Sequence, residues 1–425
     1  MTRAKRETNL EWLETVPEHW SEREVGREVW VRARLGWKGL TANEYVETGV
    51  PMLATPDIKG PEIAYTAANK ITVERYDESP DIQLRAGDVL LTKDGNTIGT
   101  VNVVRELPGL ATVNGSIAVL TPKHGLDGRF LYWFIASSYA QSMFDRLRGG
   151  MGVPHLFQRD INRIRFPYPP VAEQRAIADY LDQVTARIDT LIQEQHRLIA
   201  LLREKRKALL DIDLRPSETW RQLQIKHLGD TSLGKMLDAG RAVRDGDSLR
   251  PYVRAADVRA DGSINLTDLN EMPFSDAEME RFDLRAGDVL LIEGGATVGR
   301  PGYLPADAAG VAFQKTVNRL RVGPLADPRF IYWSMLRLYE SGFYPNHYGS
   351  VSFVHLTGEK LRQIRLDLPD VDEQRRIAAR LDEQTAKIDE TITQTERFIE
   401  LSKERRAALI TAAVTGQIDV RDDVA

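Results

Sequence analysis

Cysteine is absent from this 425-residue chain, which excludes disulfides, thiol catalysis and cysteine-ligated zinc. Histidine is scarce, with seven scattered residues and no pair at metal-ligand spacing. No apolar run approaches the length of a membrane span, and no low-complexity tract interrupts the chain. Met1 to Trp20 carry early positive charge, but they have neither the apolar segment nor the small-residue cleavage site of a secretion signal. A soluble, cytoplasmic protein is expected. An excess of positive charge is lacking too. Fifty-seven Lys and Arg against 62 Asp and Glu leave a net charge of −5, which speaks against a surface that is basic throughout. Basic residues do cluster locally, as Arg32, Arg34 and Lys38, as Arg146, Arg148, His155, Arg159, Arg163 and Arg165, and in the second half as Arg241, Arg244, Arg250, Arg254 and Arg259, then His355, Lys360, Arg362 and Arg365.

What the chain does have is itself, twice. Residues 20 to 189 return 200 positions later. Trp20 aligns with Trp220, and LRAGDVLL at Leu84 to Leu91 reappears unchanged at Leu284 to Leu291. Gly95, Thr97 and Gly99 face Gly295, Thr297 and Gly299, while the pair His155 and Leu156 faces His355 and Leu356. A unit of this length is a duplicated domain, not a solenoid repeat, and each copy is large enough to bury its own core.

Each copy begins with short apolar runs punctuated by Gly, Pro and Asp, such as Asp88 to Leu91 and Ser116 to Leu120, which predict strands in a mixed α/β domain. Arg129 to Leu147 is expected to form one helix stopped by Gly149 and Gly150, with Tyr132 and Trp133 in the core. After Pro169 and Pro170 the pattern becomes a heptad, with Ile177, Leu181, Val184, Ile188, Leu191, Leu198, Leu202 and Leu209 on one seam. A helix from Val171 to about Leu210 extends roughly 60 Å at 1.5 Å per residue. The second copy repeats it with Ile377, Leu381, Ile388, Ile392, Phe398, Ile399, Leu409 and Ile410, and a more polar set at Gln384, Thr391, Thr395 and Ser402. Two such helices in one chain are expected to pair antiparallel. The expected architecture is α+β, with domains at 1–168 and 214–367 and long helices at 169–213 and 368–425.

Catalytic motifs fail on inspection. Gly229 to Lys235 has much of a phosphate-binding loop, yet Met236 stands where a hydroxyl must reach magnesium. The glycines at 294, 295 and 299 lack dinucleotide spacing. An acidic-lysine nuclease cluster of Asp88 and Lys93 loses its lysine to Glu293 in the second copy. Glu173 with Asp182, and Glu373 with Asp382, read as solvated helix faces. No catalytic or metal site is expected. Two similar domains on a paired helix suit the two half-sites of a DNA sequence, and segments that differ between copies suit an asymmetric site. Arg, Asn and Gln recognise base edges, so the candidates are Asn96, Asn114, Arg148, His155, Gln158 and Arg163 in the first copy. Thr297, Gln314, Lys315, Tyr348, Ser352, His355 and Arg362 are their counterparts in the second. Drift after duplication explains the divergence equally well.

The WLETVPEHW run at Trp12 to Trp20, the two LRAGDVLL elements, PPVAEQRAI from Pro169, and ERRAALITAAVTGQID at Glu404 to Asp419 together resemble the specificity subunit of type I restriction-modification systems across essentially the whole chain. The resemblance implies two target-recognition domains separated by an antiparallel coiled coil, a split double-stranded DNA target, and no catalysis by this chain. It also implies modification and restriction partner subunits that hold S-adenosylmethionine, ATP and Mg. The entries Ala172 to Arg175 and Asp372 to Arg375 are then expected to support the joint between domain and helix. One departure is the first long helix, whose Glu204 to Asp213 end lacks the AVTG close of the second. A specificity chain serving a fused nuclease-methylase, or a coiled-coil scaffold whose domains bind proteins, are the alternative readings.

Overall fold

The computed structural model describes residues 4–10, 13–33, 40–147, 154–236, 246–348 and 354–420. It divides into two compact units, one of Met1–Gln195 with Glu396–Ala425 and the other of His196–Thr395. Within each unit the same architecture recurs, and the repeated sequence motifs explain it.

Strand Val89–Thr92, the VLL of the repeated octapeptide, is buried at every position because both its faces are covered. Val89 and Leu91 point into a core with Phe130, Leu131 and Phe134, while Leu90 joins Val50, Leu53, Ile71 and Val113 in a second core. Alternate side chains of a strand take opposite faces, so a continuous apolar run is the signature of a strand between two layers. It lies in an antiparallel sheet ordered Val29–Arg32, Ile117–Pro122, Val89–Thr92, Val101–Val103. The second unit keeps that order with Gly229–Leu233, Val317–Val322, Val289–Ile292 and Pro301–Tyr303. A smaller sheet flanks each, built on Val50–Leu53 in one and Ser248–Val253 in the other.

The helix expected at 129–147 is two helices, Gly128–Ala136 and Ser138–Leu147. Ser137 breaks it: its backbone is extended, and its hydroxyl donates to the Phe134 carbonyl at 2.6 Å, competing with the helical ladder. The second unit has no serine there, and Pro328–Glu340 runs on. Both helices start from an aspartate, Asp127 or Asp327, that accepts from the backbone N–H groups two and three residues on. The proposed stop at Gly149 and Gly150 lies outside the described residues.

The long helices are Val171–Asp213 and Val371–Val414. Each enters its domain through one buried glutamine. Gln174 accepts the Asp127 N–H at 2.8 Å and donates to Pro169 O at 2.8 Å and Gly125 O at 3.1 Å. Gln374 repeats the first two bonds with Asp327 and Pro369. Asp182 and Asp382, expected on solvated faces, instead accept the indole N–H of Trp133 and Trp333 at 3.0 and 2.8 Å and pair with Arg129 and Arg329. Glu173 is likewise buried and meets His19 at 2.8 Å, so it too serves the joint.

Within the first unit the start of one long helix meets the end of the other, and within the second unit the roles are exchanged. Arg406 pairs with Asp189 in the first and Arg206 with Asp389 in the second, the same contact shifted by 200. Ile177, Leu181, Ile377, Leu381 and Ile388 are buried, with Val184, Ile188, Leu191, Leu202, Ile392, Leu209 and Leu409 half-buried. Leu198 and Phe398 are exposed, however, and the neighbouring Ile199 and Ile399 take the buried place. The stripe steps by four from Ile188 to Ile192 rather than by three, which moves every second seam position along by one residue. Thr395 and Ser402 are buried, Gln384 is half-buried and Thr391 is exposed.

The unequal helix ends follow from what they cap. Ile410, Ala413, Val414 and Val420 pack into the first unit's core beside Leu10 and Trp20. Gly416 there has φ +70, and a Cβ on it meets Pro17 at 2.4 Å, so only glycine fits. In the second unit Leu210 and Leu214 do the packing, while Asp213 pairs with Arg380 and Asp211 with Arg337. Gln174→Ala leaves the Pro169 carbonyl and the Asp127 N–H without this partner, while Gly125 O keeps the Tyr168 hydroxyl, and is expected to cost the first unit about 2–4 kcal/mol, read as a lowered unfolding midpoint with unchanged secondary structure.

Candidate nucleic-acid interface

In the first domain, three of the sequence candidates converge where strand Val89–Thr92 ends. Lys93 N–H donates to Ser116 O, Leu156 N–H to Lys93 O and Gly95 N–H to Pro154 O, at 2.8 to 2.9 Å, so the segments carrying Asn96, Asn114 and His155 lie side by side. Gly95 and Gly99, at φ +82 and +93, make the turn that presents Asn96, which is exposed. Asn114 is half-buried and holds its own turn, its Oδ1 accepting from the backbone and hydroxyl of Ser116 at 3.1 and 2.6 Å. The Asp94 carboxylate bridges His155 Nδ1 and the Lys93 ammonium, the latter at 2.6 Å. Lys93 is itself buried. Lys93 thus pairs with Asp94 and not with Asp88, which meets Arg32, so the expected absence of an Asp88–Lys93 cluster is matched by two separate internal ion pairs.

Gln158 is exposed and its side-chain amide donates to Val31 O at 2.6 Å, close to the same edge. Arg163 is separate. With Arg146, Arg165, Tyr139, Met143 and Asp160 it lines a cavity of about 530 Å³. Arg148 lies outside the described residues. Arg32 leaves the basic cluster altogether: it is buried and bonded to Asp88 and Thr121, both at 2.7 Å. Its cluster mates Arg34 and Lys38 fall outside the described residues, as do Arg241 and Arg244.

The second domain repeats the convergence with other side chains. Glu293 N–H donates to Thr316 O, Leu356 N–H to Glu293 O and Lys315 N–H to Lys235 O. These bonds gather Gln314, the exposed Lys315 and the exposed His355 at the end of Val289–Ile292, with Thr297 in the adjoining glycine turn. Glu293 meets His355 Nδ1 at 3.1 Å, taking the place that Asp94 holds in the first domain. Lys360 ties two further candidates together, donating to His355 O at 3.0 Å with its ammonium 5.2 Å over the Tyr348 ring. Burial pushes the Tyr348 phenol up, which keeps it a neutral donor. Arg362 is exposed on helix Gly358–Gln363, and Ser352 lies outside the described residues. Gly229 to Lys235 is a strand and its exit, and Lys235 donates to Pro273 O and Glu278 at 2.7 Å instead of facing a phosphate. Among the described residues no group of three or more His, Asp or Glu side chains is placed to hold a metal ion, and no helix is long and apolar enough to cross a membrane.

The model of the type I restriction modification DNA specificity domain matches residues 39–200 and 217–400, one match per copy of the repeat. The chain belongs to that family. Over 195 residues it is 26% identical to the type I restriction enzyme EcoKI specificity subunit of Escherichia coli K12, an alignment covering 44% of this chain and 42% of that protein. Over 292 residues it is 23% identical to the EcoBI specificity subunit of Escherichia coli, covering 63% and 61%. Each match spans less than two thirds of the relative's own length. In fold the chain is similar to one solved in work on complex assembly and conformational transition of the type I R-M system, with TM-score 0.74, 16% identity and coverage of 95% and 99%. It is also similar to the HsdS subunit from Thermoanaerobacter tengcongensis, with TM-score 0.58, 17% identity and coverage of 95% and 98%.

The two specificity domains share a buried charge but relocate its partner. Asp88 and Asp288 occupy the same turn, each accepting the N–H three residues back at 2.8 Å. Arg32 answers Asp88 from strand Val29–Arg32. In the second domain that position is Ser232, and Arg321, standing where the first has Thr121, answers Asp288 from the adjacent strand. The Asp288 hydrogen bond holds the Arg321 guanidinium above its ordinary value, while burial and the neighbouring Arg321 hold Arg319 below it. Arg32→Ala strands a buried carboxylate and is expected to cost about 3–5 kcal/mol of stability. Restoring an arginine at Thr121 in that variant is expected to recover part of the loss, measured as a thermal midpoint in the single and double variants.

Proposed function

We propose that this chain is the DNA-specificity subunit of a type I restriction-modification complex, non-catalytic itself, with one specificity domain reading each half of a split, asymmetric double-stranded site. The observation that carries this reading is one scaffold used twice with different side chains at the same edge: Asn96, Asn114 and His155 in the first domain, Thr297, Gln314, Lys315 and His355 in the second. Arg, Asn, Gln and Lys are the side chains that bond base edges and phosphates, and unlike sets imply unlike half-sites. The family match to both copies supports it. Gln158 is assigned to the edge of the first domain and Tyr348 and Arg362 to that of the second, with Arg163 in the separate cavity of the first; the domains lie at 1–168 and 214–367 and the long helices at 169–213 and 368–425. The outward faces of the long helices serve two modification subunits, to which restriction subunits add. S-adenosylmethionine, ATP and Mg belong to those partners, and the complex works in the cytoplasm. An acidic net charge is compatible with this, since partners contribute to the clamp on DNA and the domains need only local basic edges.

Adenine-methylation mapping of cells carrying the gene with its neighbours, against a deletion of this gene alone, tests the reading. A split motif of fixed gap is expected to lose methylation in the deletion. Active neighbours with no motif that depends on this chain favour a protein-binding scaffold instead. Exchanging residues 1–165 for those of another family member is expected to change one half of the motif and preserve the other; a change in both halves contradicts independent domains.

A further inference from the structure

Helices Gln158–Arg163 and Gly358–Gln363 start at the same place in the repeat, two residues after the shared His-Leu pair. In the second domain the capping residue is Thr357, whose hydroxyl accepts the Lys360 N–H at 3.3 Å. In the first it is Phe157, and the helix begins without a side-chain cap. Threonine favours this position and a side chain without an oxygen weakens it. The phenylalanine does not repay that loss by burial, for it is 41% exposed. A cation–π contact with Arg159 offsets part of that loss, and the exposed face of the ring remains open to a partner.

The surroundings indicate which partner. The His155 ring meets Phe157 edge-on at 4.5 Å between centroids, and the Arg159 guanidinium lies 5.0 Å from the ring centre with its side chain 73% exposed. The backbone beneath is fixed: Leu156 is fully buried with its N–H on Lys93 O at 2.8 Å, and Phe157 O accepts from Asp160 and Ile161 at 2.9 and 3.1 Å. A rigid aromatic beside an exposed cation, next to the turn that carries Asn96, suits a π-face flanked by phosphates. We propose that Phe157 stacks on a nucleobase drawn out of the helical stack in the half-site read by the first domain, with Arg159 engaging the adjacent backbone. The inference rests on the DNA-specificity reading above. Thr357 lacks a ring, so the matching position of the second domain makes no such contact.

The test is competition binding by the full chain assembled with the modification subunits encoded beside it, using the mapped target duplex and a scrambled duplex. Phe157→Ala and Phe157→Leu are expected to weaken target binding roughly ten- to hundredfold, the scale of one lost base–aromatic stack, while Phe157→Tyr stays within about threefold of wild type. The scrambled duplex and the unfolding midpoint are expected not to change. Target affinity retained by Phe157→Leu overturns the proposal, because the aliphatic side chain keeps the bulk and loses the π-face. A loss that appears as failed assembly with the modification subunits also overturns it, and reassigns the ring to a protein contact. A wild-type complex that cannot tell target from scrambled duplex removes the parent reading before any variant is compared.

Discussion

Everything on the surface of each domain depends on where its long helix is anchored, and that anchor is a buried carboxamide. Gln174 and Gln374 each satisfy a helix-start N–H and the carbonyl of the proline before the long helix, with both side chains buried. Only a side chain with both donor and acceptor can do this. Around it, the Trp133 and Trp333 indoles and the Arg129 and Arg329 guanidiniums converge on Asp182 and Asp382 about two turns further on. A domain held at a buried amide and an ion-paired carboxylate has its orientation fixed about the helix start. The loops at the far ends of its strands inherit that precision, which is what positioning recognition side chains to within hydrogen-bond tolerance requires.

The sequence was most legible where one physical rule dominates. Doubly buried strands must be apolar throughout, so Asp88 to Leu91 announced a central strand, and the 200-residue offset announced two of them. The long helices were legible through their period. Their seam was misplaced at Leu198 and Phe398 because a run such as Leu198, Ile199, Leu201, Leu202 offers apolar residues to either phase, and only packing selects one. Ser137 hides in an aromatic-rich helical pattern, since its effect comes from a hydroxyl's bond to the backbone rather than from hydropathy. Charge was least legible. Arg32 looked like part of a basic patch and is a buried counter-ion; Asp182 looked solvated and is the hub of a joint. A sequence records that a charge exists, but its partner stands 49 to 56 residues away in these two cases, so its role appears only when the chain has folded.

The duplicated chain offers a control for its own divergence. Inside the domains, differences come in compensating sets. Arginine leaves position 32 for the position equivalent to 121 and still meets the retained, buried aspartate. Burial forces such compensation, because an unpaired interior charge costs more than a domain's margin of stability allows. The drift that random substitution produces is thus filtered inside into pairs.

At the recognition edge that filter is weak, and the differences there are of another kind. Asp94 and Glu293 both brace a histidine from adjacent positions, which is internal compensation again. Asn96 stands against Ala296 and Lys315 against Gly115, while Phe157 against Thr357 comes with Arg159 against Glu359, and Arg159 lies over the Phe157 ring. Neutral drift at exposed sites accounts for exchanges among small and polar residues at little cost. It does not account for replacing a helix-capping hydroxyl by an exposed ring, since that exchange is unfavourable twice over, at the helix start and at the water interface. The Arg159 and His155 contacts of the ring answer that cost in part inside the domain, and the proposed base contact is what gives its exposed face a use.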